Sequence, residues 1–230
     1  MDDLGQWAGT LAEAGKVRDG LAQKICELCV PALGVSGAGI SIVSRGGTRE
    51  ILCSTDAASA HVEDLQFVMG DGPCVRAMQS DEPVLISDVA ARAGQGSSWP
   101  EFMFSAAGKG VSALFAFPLR LGHVNVGALD LYRRTAGDLT ADQLAGALMA
   151  ADAAADSLLG LAPLAVQAAE DDTHHMQVHQ ATGMVMVQMD VPHEDALAML
   201  RARAYATGVS LLHVSREVVD RRLRFSKEDQ

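Results

Sequence analysis

Two spacings in this chain are those of reactive groups. Cys26 and Cys29 form a C-x-x-C, the spacing of a redox dithiol, and His175 and His179 stand at i, i+4, which puts two imidazoles on one helical face as a metal site requires. Neither has the context its chemistry needs. A redox C-x-x-C opens a helix after a strand, whereas Cys26 and Cys29 sit inside an apolar helical run with Ile25, Leu28 and Val30. Buried, inert thiols are expected there. No third Cys, Asp or Glu ligand accompanies the histidines at a compelling spacing, and the glutamate of an H-E-x-x-H is missing. Solvated histidines and no metal are expected. The P-loop and G-x-S-x-G patterns are absent, as are paired aspartates suited to Mg²⁺. Asp130 lies within an alternating strand, and the early acidic pair of a phosphoacceptor site is not seen. The chain therefore reads as a non-enzyme with no catalytic residues and no cofactor.

The remaining side chains that could do chemistry are arginines: Arg201, Arg203, Arg216, Arg221, Arg222 and Arg224. Three short helical patterns must position them. Val178, Ala181, Val185 and Met189 recur along one helical stripe. Pro192 fits the first turn of a second helix, with Glu194 and Asp195 at the positive end of its dipole and Leu197, Leu200 and Ala204 on its apolar face. Gly208 supplies the stop. Ser210 is the N-cap of a third helix that buries Leu211, Val214 and Val218, with Leu223 a further candidate for that side. A module this small cannot hold a substrate-sized cavity beside its own core, so it presents a surface. Gly183 falls inside the first pattern, where glycine costs about 1 kcal/mol relative to alanine. Close helix packing or close approach of a ligand at Thr182-Gly183 would explain it. Tyr205 lies one turn after Arg201 and is either a stacking platform or a cap on the local core.

Charge alone does not point to nucleic acid. The chain carries −11 at pH 7, which disfavours non-specific polyanion binding. From Pro163 onward there are seven Lys and Arg against ten Asp and Glu. The arginines are either a solvated helix face or a small surface that reads a loop by stacking and hydrogen bonding.

The run Gln180-Ala181-Thr182-Gly183-Met184, the segment from Ala196 to Leu200-Arg201, and the end from Val214 to Val218-Val219 resemble an ANTAR domain over roughly residues 175–225. The resemblance implies a three-helix RNA-binding output module that recognises paired stem-loops in nascent RNA and prevents transcription termination. With the arginine cluster, the helical face of Tyr205 and the mid-helix glycine, the residues expected at the RNA are Thr182, Gly183, Arg201, Arg203, Tyr205 and Arg216, for phosphate contact, loop-base stacking and close approach. Two positions depart from the family: Thr182 stands where a lysine is common, and Ser215 where an alanine is. Loss of the lysine bears on affinity or target choice more than on fold.

The rest of the chain reads as α+β. At 230 residues and 49% hydrophobic composition it can bury a good core and divides into two domains. A helix is predicted over 10–34, and strands over Val35–Ser44 and Glu50–Ser54, joined through Gly46-Gly47. A helical pattern over 59–79 is interrupted at Gly70-Asp71-Gly72-Pro73. A short strand spans Pro83–Ile86, and a helix 101–108. Strands at Ala113–Leu121 and Asn125–Tyr132 pair across Gly122-His123, and a helix runs from an N-cap at Thr140 to about Leu161. This order suggests an antiparallel sheet with helices. No apolar run reaches the ~18–20 residues of a membrane helix and no signal peptide is evident, so a cytoplasmic protein is expected.

That order, with Gly72-Pro73-Cys74, Ala77, Pro83-Val84, Asp88, Trp99-Pro100, Phe117-Pro118-Leu119 and Gly127 to Tyr132, is similar to a GAF domain over roughly residues 10–160. The resemblance implies a five- or six-stranded antiparallel sheet with helices on one side and a small-molecule pocket of unidentified ligand on the other. The expected division is 1–162, a sensor and dimerisation domain, and 163–230, an all-α RNA-binding domain. Helices at the two ends of the first domain, the second of them rich in Ala and Leu, predict a homodimer. The expected partners are RNA stem-loops, a second copy of the chain and the pocket ligand, with no membrane. Two alternatives stay open. The helical end could dock a protein partner. Cys53 and Cys74 could also approach the pocket, as in GAF-type free methionine sulfoxide reductases.

Overall fold

The computed structural model describes residues 20–43, 49–93, 98–159 and 173–226. The predicted Gly46-Gly47 turn and residues 10–19 lie outside these, as do the side chains of His174 and His175. The described chain forms two compact units.

The sheet-bearing part of the chain contains helix α1 (Leu21–Leu33), strands β1 (Gly37–Val43) and β2 (Arg49–Ser54, of which Ile51–Ser54 belong to the first unit), helices α2 (Ala57–Met69) and α3 (Pro73–Ser80), strand β3 (Val84–Ile86), the short helix α4 (Val89–Arg92), helix α5 (Pro100–Gly108), strands β4 (Ala113–Leu121) and β5 (Val124–Arg133), and helix α6 (Ala141–Leu159). The strands form one five-stranded sheet in the order β2-β1-β5-β4-β3. The β1–β5, β5–β4 and β4–β3 pairs are antiparallel, with Gly39 opposite Asp130 and Ala116 opposite Asp130 from the other side. The two-residue turn Gly122-His123 joins β4 to β5, Gly122 taking a φ of 63° that a residue with Cβ resists. Interruption of the 59–79 pattern has a similar cause. Gly70 ends α2 in the left-handed region at φ 68°, and Pro73 opens α3. Thr140 caps α6, its Oγ1 accepting from Gln143 N at 3.2 Å.

Helices cover both faces of the sheet. On one, α1 and α6 pack against each other and against β1 and β4. The other is covered by α2, α3 and α5, where Val62, Phe102, Met103, Leu114 and Tyr132 form a closed core. Each such large side chain contributes roughly 1.5–3 kcal/mol on full burial. The second face also carries polar groups. Gln66, Glu63, Ser41 and Asp130 are all buried. Tyr132 donates its hydroxyl to Asp56 at 2.5 Å, and Asp56 in turn caps α2 by accepting from Ala58 N and Ser59 N. These bonds hold the Asp56 carboxyl below its usual range although burial pushes the other way.

The thiols separate across the sheet. Cys26 and Cys53 meet on the α1 side with their sulfurs 3.0 Å apart, whereas Cys74 packs with Ala77, Ala116 and Ala128 on the opposite face. Cys53 and Cys74 therefore do not converge on one pocket in the way the reductase alternative requires. Side chains alternate along a strand, and Cys53 has the parity that faces α1.

The second unit contains α7 (Thr173–Met189), α8 (His193–Thr207) and α9 (Leu211–Val219), each packed against the other two. Val178, Ala181, Val185 and Met189 are buried as their spacing predicts, and so are Leu197, Leu200, Ala204, Leu211, Val214 and Val218. Pro192 is the N-cap of α8 rather than its first residue. Gly208 ends α8 at φ 68°, and Ser210 Oγ accepts from His213 N to cap α9.

Candidate nucleic-acid interface

The face that the second unit turns to solvent starts from the apolar stripe of α7. With residues 178, 181, 185 and 189 turned inward, helical geometry turns Gln180, Gly183, Met184, Val187 and Gln188 toward the outside. Beyond α9 the chain turns back: Arg221 takes a φ of 61°, and Phe225 N donates to Gln188 Oε1 at 2.8 Å. The returning segment walls a groove of about 590 Å³ lined by Gln180, Gly183, Met184, Val187, Gln188, Arg221, Leu223 and Arg224.

Gly183 forms part of this groove. A Cβ there would meet no atom within 4 Å. Close helix packing, one of the two explanations for this glycine, is thereby excluded among the described residues. Its neighbour is the opposite case. Thr182 is fully buried, and its hydroxyl donates to Val178 O one turn back at 2.7 Å. Thr182 was expected at the surface with Gly183, but a 100° step along the helix puts it in the core. Ser215, the other departure from the family, is also fully buried.

The remaining expected residues distribute over α8 and α9. Tyr205 is 81% exposed and caps no core. Arg203 is exposed, Arg201 is half-buried, and Arg216 donates from Nε to Gln177 Oε1 at 2.9 Å, tying α9 to α7. None of these four lines the groove. The basic groups that do are Arg221 and Arg224, which have no acidic partner among the described residues. Arg222 between them is neutralised by Asp220 at 2.7 Å and Glu217 at 3.6 Å. The arginine cluster showed that charge was present here. Which arginines share a surface with Gly183 depends on the path of the chain after Val219, which no helical periodicity describes.

Among the described residues no group of three His, Cys, Asp or Glu could hold a metal ion. His179 stands 6.4 Å from the ring of His193. Cys26 and Cys29 are held as protonated thiols, not as the thiolates that act as nucleophiles. Burial pushes Cys29 up to about 12, and Cys26 is raised by its hydrogen bond with Cys53 and by burial.

A family model described as GAF domain matches residues 17–158, and one described as ANTAR domain matches residues 167–219. The sheet-bearing unit resembles solved GAF domains. That of a phosphoenolpyruvate-protein phosphotransferase from Coxiella burnetii superposes with a TM-score of 0.57 at 13% identity, covering 71% of this chain and 97% of that one. The corresponding domain from Acinetobacter gives 0.50 at 11% identity, over 71% and 94%. The GAF domain of the cyanobacteriochrome TePixJ gives 0.51 at 13% identity, over 66% and 96%. At these identities the likeness shows the fold alone. A search of curated protein sequences returns no match to this chain. No helix among the described residues is long and apolar enough to cross a membrane.

Proposed function

Because this chain belongs to the GAF domain family and carries an ANTAR domain behind its GAF domain, we propose that it is a regulator that binds stem-loops in nascent RNA and prevents transcription termination. The ANTAR match at residues 167–219 carries this reading, since ANTAR is an RNA-binding antiterminator domain. The arrangement of the two domains is typical of regulators rather than enzymes. Residues 1–162 serve as the sensor and dimerisation domain and 163–230 as the RNA-binding domain. Two copies joined through the first domain would engage two stem-loops, the second at high effective concentration. Arg201, Arg203, Tyr205 and Arg216 are assigned to phosphate contact and loop-base stacking, and Gly183 to close approach. An unidentified small molecule is the signal to the GAF domain, and the setting is cytoplasmic.

The test is an anisotropy titration of the full chain against a tandem stem-loop RNA from its own genomic neighbourhood, at stated salt, with a scrambled-loop control. Loop-dependent binding is expected. Equal binding of the scrambled control would reduce the interaction to non-specific polyanion contact and end this reading. A second reading, docking of a protein partner, draws support from Val187 at 85% and Tyr205 at 81% exposure. It predicts no RNA binding at any salt concentration.

A further inference from the structure

The groove beside α7 has a feature that folding of the unit does not explain. Gly183 sits in helical backbone with open space where its Cβ would be, so among the described residues nothing requires a glycine there. An alanine would stabilise the helix. The groove next to it is apolar: Val187 is 85% exposed and Met184 lines the same side. Polar groups stand at its edges. Gln180 offers both a carboxamide oxygen and a carboxamide NH₂. Gln188 has its Oε1 engaged by Phe225 N, which leaves its NH₂ to donate outward. Arg221 and Arg224 complete the rim as cations without acidic partners among the described residues, in a chain of net charge −11.

We propose that this groove receives one unstacked base from the RNA loop. The inference rests on the RNA-binding reading above and names the subsite within it. The flat base lies over Gly183, where a missing Cβ lets a ring approach the helix, and against Met184 and Val187. Its edge meets the carboxamides of Gln180 and Gln188, the type of group that pairs with donor and acceptor atoms of a base. Arg221 and Arg224 hold the phosphates on either side of the extruded nucleotide. A groove of about 590 Å³ has room for a base and part of its sugar. The charge of the rim favours an anionic partner over a neutral or basic peptide.

The test uses the full chain and a fluorescein-labelled tandem stem-loop RNA from its genomic neighbourhood, with an abasic nucleotide placed at each loop position in turn. At one position in the loop, removal of the base is expected to weaken binding by about five- to a hundredfold, the worth of one stacked base. Gly183→Leu places a side chain in the groove from the helix side, and leucine is a better helix former than glycine at a position where a Cβ meets nothing. It should bind intact RNA as weakly as wild type binds the abasic RNA, and should lose its sensitivity to the abasic position. Gln180→Ala should show a smaller version of both effects, and far-UV circular dichroism should be unchanged in each variant. RNA that binds wild type tightly with every abasic position tolerated, or that binds Gly183→Leu as well as wild type, overturns the subsite and leaves RNA binding standing. No RNA bound by wild type overturns both and leaves the groove to a protein segment.

Discussion

Gln66 Nε2 donates to Asp130 Oδ2 at 2.9 Å, joining helix α2 to the middle of strand β5 in the interior of the GAF domain. The same carboxamide accepts from Cys74 N at 2.7 Å, and so satisfies an orphan N–H in the first turn of α3. Gln66 and Cys74 are fully buried, and Asp130 is 3% exposed. One side chain thus fixes two helices to the sheet. Gln66→Leu keeps the volume and removes both bonds, which should cost about 2–4 kcal/mol because two buried polar groups lose partners. Urea unfolding measures this. A loss within ~0.5 kcal/mol would mean water or a neighbouring side chain replaces the carboxamide.

Gly183→Ala should have the opposite sign. The position is helical and a Cβ there meets nothing within 4 Å. Stability should rise by about 0.5–1 kcal/mol through the lower entropy of the unfolded chain. Thermal unfolding of the full chain tests it, and a destabilised variant would show that the space is filled in solution.

Stability should fall at alkaline pH. Burial, with Cys53 adding, raises the Cys29 thiol from 9.0 to about 12. The folded chain therefore keeps a proton that the unfolded chain gives up above pH 9. Its contribution is fully present below pH 9 and is lost as pH rises toward about 12, at up to about 1.4 kcal/mol per pH unit. Cys29→Ala should flatten that part of the profile. Urea midpoints at a series of alkaline pH values decide it, and an identical slope in the variant would remove Cys29 as the cause.

The dimer can be tested on α6. Leu148 is 42% exposed on a helix whose neighbours Ala147, Ala150 and Ala151 are buried. Sedimentation of the wild type at micromolar concentration should give twice the 24.1 kDa chain mass, and Leu148→Glu should give the monomer with its circular dichroism intact. A wild-type monomer would remove the effective-concentration argument for paired loops.

RNA contacts divide by what they cost. Tyr205 is 81% exposed, so Tyr205→Ala should leave stability within ~0.5 kcal/mol. As a stacking platform it should lose about 1–3 kcal/mol of hairpin affinity. Arg201→Ala and Arg203→Ala should weaken hairpin binding while dimerisation and helicity persist. Arg221→Ala and Arg224→Ala should each lower the slope of log affinity against log salt by about 1. Unchanged affinity in any one of these variants takes that residue out of the interface.

The sequence was most informative where one periodicity governs a whole element. The three C-terminal helices, the stop at Gly208, the N-cap at Ser210, and the paired strands across Gly122-His123 follow from spacing and capping chemistry that act within a few residues. The short helix α4 was not foreseen, since at four residues it has too few turns to show a stripe.

Tertiary structure decided which residues share a surface. Thr182 and Gly183 are neighbours in sequence, yet one is in the core and the other in the groove, because each residue advances a helix by 100°. Cys53 and Cys74 were candidates for one pocket and lie on opposite faces of the sheet, which strand parity and helix docking fix together. Arg221 and Arg224 reach the groove because the chain turns back at Arg221 and is pinned by Phe225 N on Gln188. The sequence by itself determined the elements and the families they resemble, since those depend on local pattern. The composition of the groove depended on contacts between segments about 40 residues apart, Phe225 and Gln188 among them, and these form only when the helices pack.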